Sequence, residues 1–118
     1  MEKLNYNDIE KITNILKLKV ELSLEEYKEF HIGEFVELPN HYGCFRRNSK
    51  WYIYSNDERN FCTFTGPFSL EGVIYACAKL LHVAKTFKEY KFSEEELKIY
   101  LNNNFHTFAE IDNFNENS

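Results

Sequence analysis

Residues 51–81 read WYIYSNDERNFCTFTGPFSLEGVIYACAKLL, and the pattern changes from strand to helix within this segment. An aromatic run that alternates like a strand ends in a packet of polar and charged residues at 55–60, and a second aromatic run follows. After Gly66-Pro67 the apolar residues recur every three or four positions, which is the period of a helix. The polar packet has three possible meanings: a catalytic group, a surface for a partner, or only a turn.

Four segments predict an antiparallel meander, because their side chains alternate and favour aromatic and β-branched residues. Asn48-Ser49 is short enough for a tight hairpin, since Asn tolerates positive φ, and residues 56–59 have hairpin length as well. The four segments are EFVELP (34–39), HYGCFRR (41–47), KWYIYS (50–55) and NFCTFTG (60–66).

Two helices are predicted before the strands. Asn5 is a candidate cap for the first, whose apolar residues recur at helical spacing from Ile9 to Val20. Ser23-Leu24-Glu25-Glu26 has the pattern of a capping box. It predicts a short second helix that continues to about Phe30.

Two more helices are predicted after the strands. Ser69 caps the strongest helix of the chain, whose apolar face includes Ile74, Cys77 and Leu81. A last helix begins at Ser93, and its apolar stripe reaches Phe105. We expect the last few residues of the acidic end, FAEIDNFNENS (108–118), to be frayed.

The resulting order is α-α-β-β-β-β-α-α within one domain, residues 1–118. Helices segregated from strands predict an α+β fold, with the helices packed on one face of an antiparallel sheet. The other face of the sheet would then meet solvent or a partner.

Composition narrows the function. The chain has 118 residues, of which 43% are hydrophobic and 17% aromatic, which is too apolar for disorder. No apolar run approaches the roughly 20 residues of a membrane span, and the first residues lack a secretory signal, so we expect a cytoplasmic protein without membrane contact. The net charge of -5 and scattered basic residues argue against nucleic-acid binding, whereas an acidic surface suits a basic protein partner.

Metal and cofactor sites have little support in the sequence. The three cysteines form no C-x-x-C pair, and we interpret them as small buried hydrophobes. The histidines are not spaced as in a metal motif, so the fold would have to gather distant ligands. We therefore predict no metal and no cofactor. These residues are Cys44, Cys62, Cys77, His31, His41, His82 and His106.

Catalysis would need a different arrangement. His41 and Cys44 are close in sequence, but residues three apart on a strand point to opposite faces. Asp57 and Glu58 at an exposed hairpin tip would keep ordinary pKa values and make poor general acids. Asp57 is better explained as a turn residue that accepts backbone N–H groups, with Arg59 paired to one of the carboxylates.

The aromatic residues indicate a binding surface instead. Tyr52 and Tyr54 share one face of their strand, and Tyr and Arg are frequent in protein-binding hot spots. The alternative is that these tyrosines only complete cross-strand pairs. The partner-binding candidates are Tyr52, Tyr54, Asp57, Glu58, Arg46 and Arg47.

The middle third of the chain resembles small immunity proteins of bacterial polymorphic-toxin systems. Those proteins have a glycine-led hairpin, a strand and turn of the form W-x-V-Y-x-x-D-E-R-G, and then F-x-x-x-x-x-A at the opening of a helix. Asn60 stands where the pattern prefers Gly, and Asn can also adopt positive φ. Seven residues separate Phe68 from Ala76 where the pattern has five, and Tyr52 stands at a position that the pattern leaves open. The residues that carry the resemblance are Gly43, Trp51, Tyr52, Tyr54, Asp57, Glu58, Arg59, Phe68 and Ala76.

The resemblance implies a protein that is not an enzyme and that binds and blocks a cognate toxin. It implies no catalytic residues, and it leaves the toxin-binding surface open because that surface varies between members. Two other classes remain possible from the residues alone. One is a small structural or regulatory interaction module, for example a homodimer through the open sheet face, and the other is an enzyme with a dispersed active site.

Overall fold

The computed structural model describes residues 6–20, 29–80 and 103–116, and it confirms the predicted α+β class. Five strands form one mixed sheet in the order β1-β2-β3-β4-β5. β1 runs parallel to β2, and the other neighbouring pairs are antiparallel. The elements are α1 (Tyr6–Val20), β1 (Phe30–Ile32), β2 (Tyr42–Arg47), β3 (Lys50–Asn56), β4 (Cys62–Phe68), α2 (Leu70–Leu80), β5 (Asn104–Phe105) and α3 (Phe108–Glu116).

Three of the four predicted strands are confirmed as β2, β3 and β4. The hairpin between β2 and β3 turns at Asn48-Ser49, where both residues have positive φ, 53° and 65°. Arg47 pairs with Lys50 directly beside that turn. Two consecutive residues with positive φ match the twist of the flanking strands, which explains why the connection is so short.

The first predicted strand, residues 34–39, is wrong. This segment belongs to a loop, which we call the 33–41 loop, and the first strand is instead Phe30–Ile32, where a helix was expected to end. Side chains from β3 satisfy the loop backbone in place of a neighbouring strand: Asn56 Nδ2 donates to the carbonyls of Val36 and Leu38, at 2.9 and 3.0 Å. The alternating side chains of residues 34–39 therefore do not mark a strand, because side chains and not a neighbouring strand bond this backbone.

One face of the sheet, the helix face, is covered by α1 and α2. Ser69 caps α2 as predicted, because its Oγ accepts the Gly72 N–H at 3.1 Å. Cys44 and Cys77 are fully buried in this core, as expected for small hydrophobes. Other members of the core are Ile12, Phe30, Trp51, Phe68, Val73, Ile74, Tyr75, Ala76 and Ala78.

The opposite face, the aromatic face, was expected to be open, and that expectation is wrong. The 33–41 loop and α3 pack against it, so the sheet has cover on both sides. The aromatic side chains on this face contact one another in edge-to-face and tilted pairs, as aromatic cores prefer. The cluster contains Phe45, Tyr52, Tyr54, Phe64, Phe105 and Ile111, with Phe35, Cys62, Phe108 and Phe114 packed against it.

The C-terminal part of the chain differs from the prediction. Residues 108–116, which begin the segment whose end was expected to fray, form α3. Thr107 Oγ1 accepts the Glu110 N–H at 3.2 Å, and Glu110 Oε2 accepts the His106 N–H at 3.1 Å. Phe105 lies in β5 and is buried there, not on a helix. Residues 21–28, 81–102 and 117–118, and with them most of the predicted second and last helices, lie outside the described residues.

Candidate protein-binding site

The six residues predicted to bind a partner do not form one site. Tyr52 and Tyr54 are 0% and 1% exposed in the core of the aromatic face. Arg46 and Arg47 lie at one end of the β2–β3 hairpin, whereas residues 57–58 follow the other end of β3. A seven-residue strand separates the two ends, which is about 20 Å at the usual rise per residue.

The two tyrosine hydroxyls are bonded inside the protein. Tyr52 Oη donates to Asn115 Oδ1 on α3 at 2.9 Å. Tyr54 Oη donates to the Glu34 carbonyl at 2.9 Å and accepts the Val36 N–H at 3.2 Å. Burial raises the pKa of both phenols, so the hydroxyls stay protonated and serve as structural donors. These tyrosines hold α3 and the 33–41 loop and present no surface to a partner.

Arg47 attaches the hairpin tip to α3. Its Nε and Nη2 donate to the two carboxylate oxygens of Asp112 at 2.9 and 2.8 Å, and its guanidinium lies 4.4 Å from the centre of the Phe108 ring. Asn48 Nδ2 donates to the same carboxylate at 2.9 Å. The hydrogen bonds from Arg47 lower the pKa of Asp112. Arg46 alternates to the other face of β2 and is half-buried.

The charged segment after β3, residues 57–60, folds as a turn that Asp57 organises. Asp57 Oδ1 accepts the N–H groups of Arg59 and Phe61, both at 2.8 Å. The backbone N–H of Asp57 donates to the Phe61 carbonyl at 3.0 Å, and Asn60 closes the turn with φ 61°. Glu58 and Arg59 are exposed, and no ion pair joins Arg59 to the neighbouring carboxylates. The turn interpretation of Asp57 accounts for these contacts.

The 33–41 loop meets this turn and brings apolar side chains to its edge. The Asn40 N–H donates to the Asp57 carbonyl at 3.2 Å, and Asn56 Nδ2 fixes the Leu38 carbonyl. Within the described ranges, Leu38 and Phe61 are large hydrophobic side chains left 51% and 57% exposed. We call a group of exposed residues of this loop and this turn, Glu37, Leu38, Asp57, Glu58 and Phe61, the turn surface.

The turn surface is acidic at its rim. It carries three carboxylates, and Arg59 is the basic residue within the turn itself. Burial, and then the charge of Glu37, raise the pKa of Cys62 to about 12, so this half-buried thiol stays protonated. The His106 ring lies 5.0 Å from the Phe61 ring and restricts it from one side. The surface therefore combines preorganised apolar groups with negative charge.

The fold also joins two histidines that are ten residues apart in sequence. His31 Nε2 lies 2.8 Å from His41 Nδ1, and both rings are half-buried. His41 thus bonds His31, while Cys44 is enclosed in the helix-face core. His41 and Cys44 therefore do not form a pair of base and nucleophile. Burial, and then the neighbouring His41, lower the pKa of His31.

Three further features bear on other kinds of site. Within residues 6–20, 29–80 and 103–116, no three side chains of His, Cys, Asp or Glu converge as a metal centre requires. In the same ranges, no helix has both the length and the apolarity to cross a bilayer. A shallow depression between the hairpin tip and α3 has mixed charge and is lined by Asn48, Lys50, Asp112, Asn115 and Glu116.

Sequence reasoning missed the residues that create the turn surface. Leu38 looked like part of a strand, and Phe61 looked like the start of one, so neither was expected to be exposed. The available signals were Pro39 directly after Leu38, and Asn60, which tolerates positive φ, directly before Phe61. The histidine contact gave no local signal because it depends on the parallel pairing of β1 with β2.

Comparisons with known proteins add no relative from which a role can be transferred. No protein-family model matches the chain, and neither a curated protein nor a solved structure matches it.

Proposed function

We propose that this protein is a cytoplasmic immunity protein, which binds a cognate bacterial toxin and neutralises it by occupying the toxin's active region. It acts by association and not by turnover of a substrate. The observation that supports the proposal best is the turn surface, where Leu38 and Phe61 stay exposed on a hydrogen-bonded framework beside carboxylates. The region that resembles immunity proteins, from Gly43 to Ala76, supplies most of that framework.

The apolar part of the turn surface can supply affinity. Fully burying a side chain of the size of Leu or Phe stabilises a complex by roughly 1.5–3 kcal/mol before the costs of association. Those costs are reduced here, because Asp57 and Asn56 already hold the backbone on either side of the two side chains. Leu38 and Phe61 are therefore suited to be the central anchors of an interface.

The acidic rim supplies orientation and selectivity. Glu37 and Glu58 are exposed, and the chain as a whole carries a net charge of -5. A negative field attracts a basic partner over several ångströms and raises the association rate, an effect that salt weakens. A toxin whose active region binds an anionic substrate would present such a basic surface.

The gene beside the one encoding this chain gives the direct test. We expect its product to arrest growth when expressed alone and to be tolerated when this chain is co-expressed. We expect the double substitution L38S/F61S to abolish protection while leaving the thermal melting curve nearly unchanged, because both side chains are exposed. Charge reversal E58K should weaken protection and E10K should not, since Glu10 is also exposed but lies on α1, which covers the helix face.

An adjacent gene product that is harmless alone, or that is equally toxic with and without this chain, would contradict the proposed function. Full protection by a folded L38S/F61S variant would leave the function intact but would show that the turn surface is not the binding site. A regulatory interaction module without a toxin is the alternative. A homodimer through the aromatic face is not supported, because α3 and the 33–41 loop cover that face.

A further inference from the structure

The His31–His41 contact has the geometry of a hydrogen bond along one line. The facing nitrogens, His31 Nε2 and His41 Nδ1, are 2.8 Å apart. The rings are nearly parallel, at 7°, and their centres are 5.1 Å apart. The centre-to-centre distance exceeds the nitrogen–nitrogen distance by about twice the distance from an imidazole centre to one of its ring nitrogens. Both nitrogens therefore lie on the line between the ring centres, and each lone pair or N–H points at the other ring.

This geometry limits how many protons the pair can hold. In the neutral pair one facing nitrogen carries a proton and the other accepts it. A first added proton binds an outward nitrogen of the donor ring, which strengthens the bond because the donor is now charged. A second added proton must occupy the accepting nitrogen. Two N–H groups would then face each other across 2.8 Å with two positive charges, so the contact breaks.

The surroundings favour the uncharged pair. His31 points away from the helix face, because Phe30 and Ile32 on either side of it pack into that core. Burial is the largest cause of its lowered pKa, His41 is the second, and the charge of Glu34 in the loop opposes both. On β2 the residue opposite His31 is Gly43, where a Cβ would overlap the His31 carbonyl, so no charged side chain faces the ring from that strand.

The histidine pair is continuous with the turn surface through His41. The His41 N–H donates to the Leu38 carbonyl at 3.2 Å, and the His41 carbonyl accepts the Asn56 N–H at 2.9 Å. Asn56 in turn holds the Leu38 carbonyl through its side chain. Displacement of His41 from His31 therefore acts directly on the backbone that positions Leu38.

We propose that the His31–His41 pair is an acid-sensitive latch, which fixes Leu38 for binding at neutral pH and loosens the turn surface when both rings become charged. The latch regulates the surface assigned under the proposed function, and that part of the inference rests on it. The latch itself depends only on the two rings and the 33–41 loop.

The direction of the pH effect follows from the shift of His31. Its pKa in the folded protein lies below the ordinary value of about 6.5, so the unfolded chain binds more protons as the pH falls. The stability from the neutral pair is fully present above pH 6.5 and is lost as the pH falls through the lowered pKa.

Nitrogen NMR of the imidazole rings in the full chain tests the latch without a partner. We expect His31 to titrate below its ordinary value of about 6.5. In H41N, which keeps a short polar side chain but cannot be charged, the pKa of His31 should rise toward that value, because His41 no longer opposes the charge on His31. H106Q is the matched control and should leave the titration of His31 unchanged. A titration of His31 near its ordinary value of about 6.5 that H41N does not move would overturn the latch.

Binding to the toxin from the adjacent gene tests the link to the turn surface. Between about pH 7.5 and about pH 5 we expect the affinity of the wild-type protein for the toxin to fall. The fall should be roughly tenfold for each unit by which binding lowers the pKa of His31. The variant H31Q/H41N lacks the latch, so its affinity should already be lower at neutral pH and should change little over the same range. Equal pH dependence in the wild type and in H31Q/H41N would show that the latch does not control binding. Absence of any binding at neutral pH would contradict the proposed function, while the NMR result would still decide the latch.

Discussion

The two faces of the sheet are built from different chemistry, although the same strands supply both. The core on the helix face combines aromatic side chains from the strands, such as Trp51 and Phe68, with aliphatic and small side chains from α2, such as Val73 and Cys77. The aromatic face consists mostly of Phe and Tyr under α3 and the 33–41 loop. The helix face depends on close packing, whereas the aromatic face also uses hydrogen bonds at the tips of its tyrosines.

The difference shows what a buried tyrosine does in a small sheet. The sequence predicts a partner-binding surface at these tyrosines, but in the structure each hydroxyl bonds a segment that covers the aromatic face. Tyr52 bonds Asn115 on α3, and Tyr54 bonds the backbone of residues 34 and 36. An aromatic ring supplies buried area, and its polar tip then decides which segment can cover it. Two tyrosines on one strand thus orient two separate covers.

The largest expected effect is on stability, from truncation within the aromatic face. Tyr54→Ala removes a ring that is 1% exposed, and we expect a loss of about 3–5 kcal/mol in the free energy of unfolding. Ile74→Ala on the helix face removes a smaller buried side chain and should cost about 2–5 kcal/mol. Chemical denaturation of both variants gives the comparison.

A small loss for Tyr54→Ala would contradict the assignment of this face as core. If the variant fails to fold, Tyr54→Leu keeps an apolar side chain at the same position and allows the comparison to be made. A loss near zero, together with weaker toxin binding, would restore the sequence-based hypothesis that this tyrosine belongs to a partner surface.

An intermediate effect should separate the two hydroxyls. Tyr54→Phe leaves the Val36 N–H and the Glu34 carbonyl without this partner, and we expect a cost of about 1–3 kcal/mol. Tyr52→Phe removes a single bond to Asn115 and should cost about 0.5–1.5 kcal/mol. Urea denaturation measures both, and hydrogen exchange should rise in the 33–41 loop for the first variant and in α3 for the second.

The reverse order of costs, or identical exchange patterns in the two variants, would show that the hydroxyls do not orient separate covers. The apolar area of both rings is nearly conserved in these substitutions. Any difference between the variants therefore reports on hydrogen bonding and not on packing.

Periodicity in the sequence predicted the helix face because that face depends on local patterns. The helical spacing of residues 70–80, the cap at Ser69 and the turn at Asn48-Ser49 all act over a few residues, and all three are confirmed. The turn at Asp57 was also predictable, since an Asp side chain accepts nearby backbone N–H groups in a recurring geometry.

Two segments cover the aromatic face, α3 and the 33–41 loop, and neither was predicted from the sequence, for two different reasons. The helix α3 had a local signal, Thr107 followed three residues later by Glu110, which was overlooked because the segment is acidic and rich in Asn. The 33–41 loop had no such signal. Its alternating side chains look like a strand, and tertiary bonds from Tyr54 and Asn56 override that local preference.

The candidate site was less predictable than the fold, because it depends on exposure. Residue type favours Tyr and Arg side chains as partner-binding groups, yet Tyr52 and Arg47 bind segments of their own chain. Phe61 became exposed through the turn geometry at Asn60, and Leu38 through its position in the loop. Residue type indicates which side chains can bind a partner, but long-range contacts decide which of them remain accessible.

The smallest expected effect concerns the ion pair that fixes α3 over the aromatic face. Hydrogen bonds from Arg47 lower the pKa of Asp112. The charged carboxylate therefore stabilises the fold at pH values above its pKa in the unfolded chain, and this stability is lost as the pH falls through the lowered pKa. Asp112→Asn should therefore destabilise the protein at neutral pH, and its difference from wild type should shrink below about pH 4. Denaturation across that range measures the convergence.

Glu116→Gln is the matched control, because it removes an exposed carboxylate from the same helix. Its difference from wild type should show no comparable convergence in acid. If Asp112→Asn and Glu116→Gln behave alike, the Arg47–Asp112 pair is an ordinary surface contact, and α3 is held by its aromatic residues alone. Convergence for Asp112→Asn only would mean that the aromatic face, unlike the helix face, is closed in part by a charge that acid removes.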